Sequence, residues 1–197
     1  GIAIIDQPLL VDHMEYRDRL QMYEEINVLP DTEATMHGAA VTSIAVGKTI
    51  GVAPGANLYY VGAWTGDWEP GTNNFTWDFE YYAQAVRRIL EINRGLPQDR
   101  KIRVIAMQEG WNSNQAGWDE ITAAVMEAKA EGIFVVSSSL SDIYGFHFQG
   151  MGRDPLADPN QFEAYLPGIW WASDFYANLH MKDTLLIPMD SRTTASP

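Results

Sequence analysis

Two residues of this sequence are of types that could work together as an acid and a base. Asp6 directly follows an apolar run at residues 2–5, where an ionised carboxylate costs several kcal/mol unless it is hydrogen-bonded or paired. His37 lies 31 residues later, at the predicted start of a helix of small residues. The positive end of a helix dipole favours a neutral imidazole, which can accept a proton. We therefore expect the two side chains to face each other within hydrogen-bond reach.

The elements that must position this pair alternate along the chain. Apolar runs typical of strands covered on both faces occur at residues 2–5, 58–61, 102–107 and 133–136, with a weaker run at 185–187. Helical patterns occur at residues 36–46, 78–93 and 118–131, the last stopped by Gly132. This alternation predicts right-handed crossovers and a doubly wound α/β domain, a mostly parallel sheet with helices on both faces. Residues 141–175 are predicted to be surface loop, with one strand near residues 168–172.

The ends of the predicted strands are the places to look for a ligand site, because open parallel sheets bind ligands beyond their carboxyl ends. Those positions hold Asp6, Trp64, residues 108–111 and residues 137–141. None of them forms a Gly-x-Gly-x-x-Gly loop, a P-loop or a Gly-x-Ser-x-Gly elbow. The sequence therefore argues against a nucleotide site and against an α/β-hydrolase.

The segments that carry Asp6 and His37 resemble the subtilisin-like serine proteases, or subtilases. Ile4-Ile5-Asp6 is similar to the family strand V-I-D-[ST]-G, with His13 at the family's seven-residue offset. HGAAVTS, residues 37–43, is similar to the family's HGTHVAG, and GVAPGANLYYVGAW, residues 51–64, resembles its GVAP segment and next strand. The resemblance implies a subtilisin-like fold and a peptide or protein substrate. It also implies an Asp/His/Ser triad, in that chain order, with Asp6 and His37 as the first two members.

Two later stretches resemble the family more loosely. KIRVIAMQEG, residues 101–110, is similar to the strand ending in Ser-Leu-Gly-Gly that binds the substrate backbone, and Gln108, Glu109, Gly110 and Trp111 replace those four residues. EGIFVVSSSLSD, residues 131–142, is similar to the strand ending in Ala-Ala-Gly-Asn, with Ser141 at the position of the Asn. The resemblance therefore implies substrate contacts at the first stretch and an oxyanion donor at Ser141.

The serine of the triad has two possible placements. If SRTTASP, residues 191–197, is set against the family's G-T-S-M-A-S-P, Thr193 falls on the nucleophile and Ser191-Arg192 replace Gly-Thr. Alternatively LLIPMDS, residues 185–191, resembles the strand and turn some twenty residues before the nucleophile. We favour the second register, which assigns the serine to sequence outside this chain and leaves Thr193 mobile or distant from His37. Residues 1–197 are then one subtilase-like domain, a fragment truncated at both ends and expected to be inactive alone.

The amino-acid composition limits the kinds of partner that the chain is expected to bind. The chain has 197 residues, 13 of them basic and 26 acidic, for a net charge of −13, which disfavours nucleic acid and favours cationic ligands or peptides. No apolar run reaches the length that crosses a bilayer, so no membrane partner is expected. The chain contains no cysteine, which excludes disulfides and thiolate chemistry. The oligomeric state is left open, and an extracellular or cell-surface location is implied by the resemblance alone.

Acidic residues suggest metal sites only weakly. Asp12, His13 and Glu15 are adjacent in sequence, and adjacent residues rarely converge on one ion, so a surface loop is favoured. Calcium occurs in some subtilases, but the candidate ligands Asp67, Glu69 and Asp78 fit no calcium loop. We predict no metal or other cofactor.

Three functions are compatible with these observations. The leading one is a serine endopeptidase of subtilisin type. The alternative is a subtilase-like scaffold that has lost catalysis and serves binding or regulation. A flavodoxin-like ligand-binding domain would explain the sheet but not the paired Asp and His segments. Trp64 and Trp111, which follow predicted strands, are candidates for lining a peptide or glycan groove, although packing is the commoner role of such aromatic residues.

Overall fold

A computed structural model describes residues 1–72, 74–137, 148–152, 156–158, 160–164, 166–167, 185–188 and 194–196. It divides into two compact units, Gly1–Ser139 with Thr194–Pro197 and Leu140–Thr193. Asp6 and His37 lie in the first unit. The expectation that the chain is one domain stays a prediction.

The first unit is built on a five-stranded parallel sheet with the order β2-β3-β1-β6-β7. The strands of this sheet are β1 (Ile2–Asp6), β2 (Leu20–Ile26), β3 (Leu58–Ala63), β6 (Val104–Met107) and β7 (Phe134–Val136). The helices are α1 (Met36–Val46), α2 (Glu80–Gly95) and α3 (Trp118–Ala130), and a hairpin of β4 (Gly66–Trp68) and β5 (Phe75–Trp77) precedes α2. A short 3₁₀ helix, Gln98–Arg100, precedes β6.

The central position of β1 explains its continuous apolar run. Ile2 lies opposite Leu58 of β3 on one side and Val104 of β6 on the other, so both edges of β1 are paired. Ala3, Ile4 and Ile5 are fully buried, as expected of a strand covered on both faces. Asp6, the last residue of β1, therefore lies at the carboxyl end of the sheet.

Different helices cover the two faces of the sheet. A cluster of buried side chains joins α1 to one face and includes Ile4, Leu9, Tyr16, Ala39, Val46, Leu58, Tyr60 and Ala195. Residues that alternate with these strand residues, such as Ile5, Val61 and Ile105, are also buried. They point to the opposite face, where α2 contacts β1 and β3 and packs against α3. The predicted α/β sheet with helices on both faces is confirmed.

One crossover differs from the prediction. Along the strand order, the connections through α1, α2 and α3 all step in the same direction across the sheet. Because α1 lies on the face opposite to α2 and α3, the β2-α1-β3 connection has the opposite hand to the other two. The expectation that the crossovers are all right-handed is therefore wrong for one of them.

The three helices were predicted closely, and the end of α3 shows why. Gly132 has a φ of 76°, a left-handed conformation that glycine adopts without strain and that ends a helix. In contrast, strand β2 and the β4-β5 hairpin were not predicted. None of the helices in the described part of the chain is long and apolar enough to cross a membrane.

The second unit contains a separate three-stranded sheet with the order β10-β8-β9. Its strands are β8 (Phe148–Gly152), β9 (Leu166–Pro167) and β10 (Leu185–Pro188), and a 3₁₀ turn lies at Phe162–Ala164. Strand β10 pairs with β8 in parallel, and β9 pairs with β8 antiparallel. The prediction of β10 is confirmed, and the prediction that residues 141–175 are surface loop is wrong at β8 and β9. The strand predicted near residues 168–172 lies outside the described residues.

Candidate active site

The start of α1 is fixed to the segment that follows β1. The backbone N–H of Thr35 donates to the carbonyl of Pro8 at 3.0 Å, and the Thr35 hydroxyl accepts from the N–H of Gly38 at 3.5 Å. Thr35 is thus the N-cap of α1, a position that its side chain favours. His37, in the first turn, is held at the end of the sheet where Asp6 lies.

The expected contact between Asp6 and His37 is present. Asp6 Oδ1 lies 2.8 Å from His37 Nδ1 and accepts a second hydrogen bond, of 2.7 Å, from the backbone N–H of Gln7. Asp6 is only 2% exposed, whereas the His37 side chain is 47% exposed. A buried carboxylate therefore holds one ring nitrogen of an accessible imidazole, and the other nitrogen, Nε2, can accept a proton.

The hydrogen bond to Asp6 is the main reason that the pKa of His37 lies above its ordinary value. Partial burial opposes the rise in pKa, and the negative charges of Asp6 and Glu109 add to it. This direction is opposite to the one predicted from the helix dipole, because a charge-assisted hydrogen bond of 2.8 Å outweighs the dipole. The carboxylate thus stabilises the imidazolium that forms when His37 accepts a proton.

Tight packing behind His37 fixes the approach of α1 to the sheet. Gly38 is buried, and a Cβ added there would lie 2.6 Å from Tyr60 Oη and 2.9 Å from the carbonyl oxygen of Gln7. The Tyr60 hydroxyl donates to that same carbonyl at 2.5 Å. Only a glycine at this position lets the helix backbone come so close. Sequence reasoning matched Gly38 to the HGTHVAG pattern but did not identify Tyr60, whose position opposite Ile4 follows from the strand register.

The stretch after β6 lies at the same edge of the sheet. Gln108 is exposed, and Glu109 and Gly110 are partly buried. The Ser137 hydroxyl, directly after β7, donates to the carbonyl of Glu109 at 2.6 Å and so ties the ends of the two strands together. Burial raises the pKa of the Glu109 carboxyl, the charge of Asp6 adds to this rise, and His37 opposes it. Glu109 therefore interacts electrostatically with both members of the Asp6–His37 pair.

The aromatic candidates have different environments. Trp111 is 8% exposed, and its ring centroid lies 6.1 Å from that of Phe79, which matches the packing role rather than an open groove. Trp64 is partly buried. Substrate contact by residues 108–111 and by Trp64 stays a prediction.

Several predicted site residues lie outside the described residues, among them Ser141, Thr193, Ser191 and Arg192. The neighbouring C-terminal residues 194–196 are described. Ala195 is 6% exposed, and its backbone N–H donates to the Ser43 hydroxyl of α1 at 2.9 Å. Ala195 therefore packs on the helix that carries His37, a contact that the favoured register for the C-terminal residues did not predict.

The acidic residues considered as metal ligands have partners of other kinds. The Glu15 carboxylate accepts hydrogen bonds from the backbone and hydroxyl of Thr49 at 2.9 and 2.7 Å, and the His13 ring stacks on Tyr16. The Asp67 carboxylate accepts hydrogen bonds from the side chains of Asn27 and Tyr81. The Glu69 carboxylate accepts them from Thr72 and Asn74, and the Asp78 carboxylate accepts one from the backbone N–H of Glu80. Within the described residues, no group of three or more His, Asp and Glu side chains is arranged to hold a metal ion.

Comparison with known proteins decides the family. The sequence pattern of the Subtilase family, Peptidase_S8, matches residues 1–166, which include Asp6, His37 and Glu109. The chain belongs to the subtilase family. This membership excludes the flavodoxin-like alternative, since it accounts for the sheet together with the Asp and His segments. It also identifies the chain with a family of serine peptidases, whose substrates are peptides or proteins.

Curated relatives agree with this placement over a shorter segment. A Subtilisin-like protease 2 from Arthroderma otae is 33% identical over 92 residues, which are 46% of this chain and 21% of that protein. Proteins of the same name from Trichophyton verrucosum and Trichophyton equinum are each 32% identical over 92 residues, with the same coverage. The matched segment thus spans about a fifth of the length of these relatives.

Proposed function

We propose that this subtilase chain supplies the acid and base of a serine endopeptidase of subtilisin type. The observation that carries the proposal is the 2.8 Å hydrogen bond between a buried carboxylate and an accessible imidazole. His37 takes the proton of the serine hydroxyl at Nε2, because its Nδ1 is held by Asp6. Asp6 orients the ring and stabilises the imidazolium, which then returns the proton to the leaving amine.

Substrate and oxyanion contacts come from the ends of β6 and β7. Residues 108–111 would bind the backbone of the substrate, as the family resemblance implies. Backbone amides together with Ser141 would hold the oxyanion, and loss of one such donor costs about 3 kcal/mol of transition-state stabilisation. Ser137 supports this arrangement, since its hydroxyl holds the Glu109 carbonyl at 2.6 Å and fixes the spacing of the two strand ends.

The nucleophile is assigned to a serine in sequence outside these 197 residues, because Ser191 and Arg192 replace the Gly-Thr that precedes it in the family. The contact of Ala195 with Ser43 at 2.9 Å favours a second candidate, Thr193, because it brings the residues that follow Thr193 onto the helix of His37. The β-branched side chain of threonine restricts the rotamers available for attack. We keep the external serine as the proposal and Thr193 as its alternative.

A serine-directed fluorophosphonate probe tests both assignments. We expect no labelling of the 197-residue chain, and labelling of a longer chain that carries the serine. Substitution His37→Gln in the longer chain should abolish that labelling, and Asp6→Asn should weaken it. The expected magnitudes are taken from subtilisin, in which loss of the base lowers kcat about 10⁶-fold and loss of the acid lowers it about 10⁴-fold.

Two results would contradict the proposal in different ways. Labelling of the 197-residue chain that is lost with Thr193→Ala, but not with the matched control Thr194→Ala, would place the nucleophile at Thr193. A longer chain with an intact Gly-x-Ser turn that takes up no probe would favour the binding or regulatory scaffold instead.

A further inference from the structure

A second acidic residue, Glu109, follows β6 at the sheet edge that carries Asp6. In the parallel pairing of β1 with β6, Ile5 is opposite Met107, so continuing this register brings residue 109 level with the residue that follows Asp6. The Ser137 hydroxyl holds the Glu109 backbone at 2.6 Å. The charge of Glu109 influences the pKa of His37, and it also adds to the rise in the pKa of Tyr82 that burial causes. The backbone of residue 109 therefore lies at the same edge of the sheet as Asp6, and the charge of Glu109 acts on the imidazole.

Among the residues that the structure describes, Glu109 forms no ion pair with an arginine or a lysine, and the cationic group that lowers its pKa is the His37 imidazolium. In the described residues, four arginines form ion pairs with other acidic side chains. The pairs are Arg17 with Asp18, Arg87 with Glu127, Arg88 with Glu24 and Glu91, and Arg94 with Glu131. Glu109 is only partly buried, so a ligand can reach it. Desolvation outweighs the contribution of His37 and raises the pKa of the Glu109 carboxyl, so a further cation placed against this half-buried carboxylate relieves part of the desolvation cost.

We propose that Glu109 is a specificity-determining residue that binds the cationic side chain, arginine or lysine, of a peptide lying across the carboxyl end of the sheet. The inference rests on the proposed peptidase function and adds to it the class of substrate. Arginine fits the site better than lysine, because its guanidinium can donate two parallel hydrogen bonds to one carboxylate. The net charge of −13 steers cationic peptides toward the chain as a whole, whereas Glu109 supplies a local partner at the sheet edge that carries Asp6.

A pair of isosteric peptides separates the charge of the side chain from its shape. The probes are acetyl-Ala-Ala-Pro-Arg-amide and the same peptide with neutral citrulline in place of arginine. Their affinities for the full 197-residue chain are measured by titration of its backbone amide NMR signals. We expect the arginine peptide to bind about fivefold more tightly, the size of a partly exposed ion pair, and to perturb the signals of His37 and Glu109. The preference should shrink as salt is raised, because the pair is only partly buried.

Two matched substitutions show whether Glu109 causes the preference. Glu109→Gln keeps the shape of the side chain and leaves its backbone carbonyl for Ser137, and it should make the two peptides bind equally. Asp99→Asn removes the same charge from an exposed residue of the 3₁₀ helix before β6, at the opposite end of that strand, and should keep the preference. Circular dichroism checks that both variants fold.

The outcomes distinguish this inference from the function on which it rests. Equal binding of both peptides to the unaltered chain, or a preference that survives Glu109→Gln, would overturn the role of Glu109 and leave the peptide site intact. A preference lost equally in Glu109→Gln and Asp99→Asn would show overall charge attraction and would also overturn it. If neither peptide perturbs the signals around His37, the proposed peptide site fails, and this inference fails with it.

Discussion

Substitution Gly38→Ala is a sharp test of the packing at the site, because helix propensity and packing predict opposite signs. Gly38 lies in the first turns of α1, and alanine is favoured over glycine in a helix by about 1 kcal/mol. The added Cβ, however, would lie 2.6 Å from Tyr60 Oη, 2.9 Å from the carbonyl oxygen of Gln7 and 3.2 Å from that of Pro8. Two of these atoms are backbone and cannot rotate away.

The expected magnitude follows from these contacts. Overpacking of this kind costs about 1–3 kcal/mol. Displacement of the Tyr60 hydroxyl also loses its hydrogen bond to Gln7, worth about 1 kcal/mol, which cancels the gain in helix propensity. We therefore expect Gly38→Ala to lower the free energy of unfolding by about 1–3 kcal/mol, and the melting temperature to fall by about 2–4 °C for each kcal/mol in a chain of this size.

Urea denaturation of matched variants measures this effect. Gly95→Ala is the control, because Gly95 is also helical and nothing lies within 4 Å of a Cβ added there. This control should be as stable as the unaltered chain or slightly more stable. The double variant Gly38→Ala with Tyr60→Phe should recover part of the loss, since it removes the nearest atom. A Gly38→Ala chain as stable as Gly95→Ala would refute the close approach of α1 to β1 and β3.

Three further predictions concern the contacts of α1. Substitution Asp6→Asn should lower the pKa of His37, because the hydrogen bond and the charge that raise it are weakened or lost; an NMR titration of the imidazole measures this, and an unchanged pKa would contradict the assigned cause. The stability that His37 contributes should be fully present below its ordinary pKa of about 6.5 and lost as pH rises through the higher pKa of the folded chain. The difference in urea midpoint between the unaltered chain and His37→Gln should accordingly be largest below about pH 6.5 and shrink as pH rises through the raised pKa of His37, whereas a pH-independent difference would count against a raised pKa. Substitution Ser43→Ala should lower the free energy of unfolding by about 1–3 kcal/mol, because the buried N–H of Ala195 loses its acceptor. In a chain ending at residue 193 the same substitution should lower it by less. Equal losses in the two chains, measured by urea denaturation, would show that the contact contributes nothing.

The sequence predicted those parts of the fold whose structure is determined by residues close together in the chain. The run at residues 2–5 is short and apolar without a break, which is typical of a strand covered on both faces. The small residues of HGAAVTS allow α1 to approach the sheet closely, and Gly132 ends α3 in a conformation that suits glycine. The pairing of Asp6 with His37 was predictable for a further reason, which is that the carboxyl ends of parallel strands meet at one edge.

The features that were not predicted depend on contacts between distant parts of the chain. Strand β2 contains two glutamates, and it lies at the edge of the sheet, where Glu24 forms an ion pair with Arg88 of α2 at 2.8 Å. No local pattern shows that such a polar segment is a strand. The direction of the pKa shift of His37 was likewise wrong when argued from the helix alone, because it is set mainly by a carboxylate 31 residues away.

Helix α1 connects the Asp6–His37 pair with Ala195 near the C-terminus. His37 lies in its first turn and Ser43 six residues later, a rise of about 9 Å along the helix axis. The first contacts Asp6 at 2.8 Å and the second holds Ala195 at 2.9 Å, while the buried faces of Ala39 and Val46 join both contacts to the same apolar cluster. A shift of α1 would therefore disturb both ends together, so Gly38→Ala should weaken the Ala195 contact as well as the Asp6–His37 bond. Because α1 carries His37 at one end and holds Ala195 farther along, the anchoring of Ala195 bears on the choice between the proposed external serine and its alternative, Thr193.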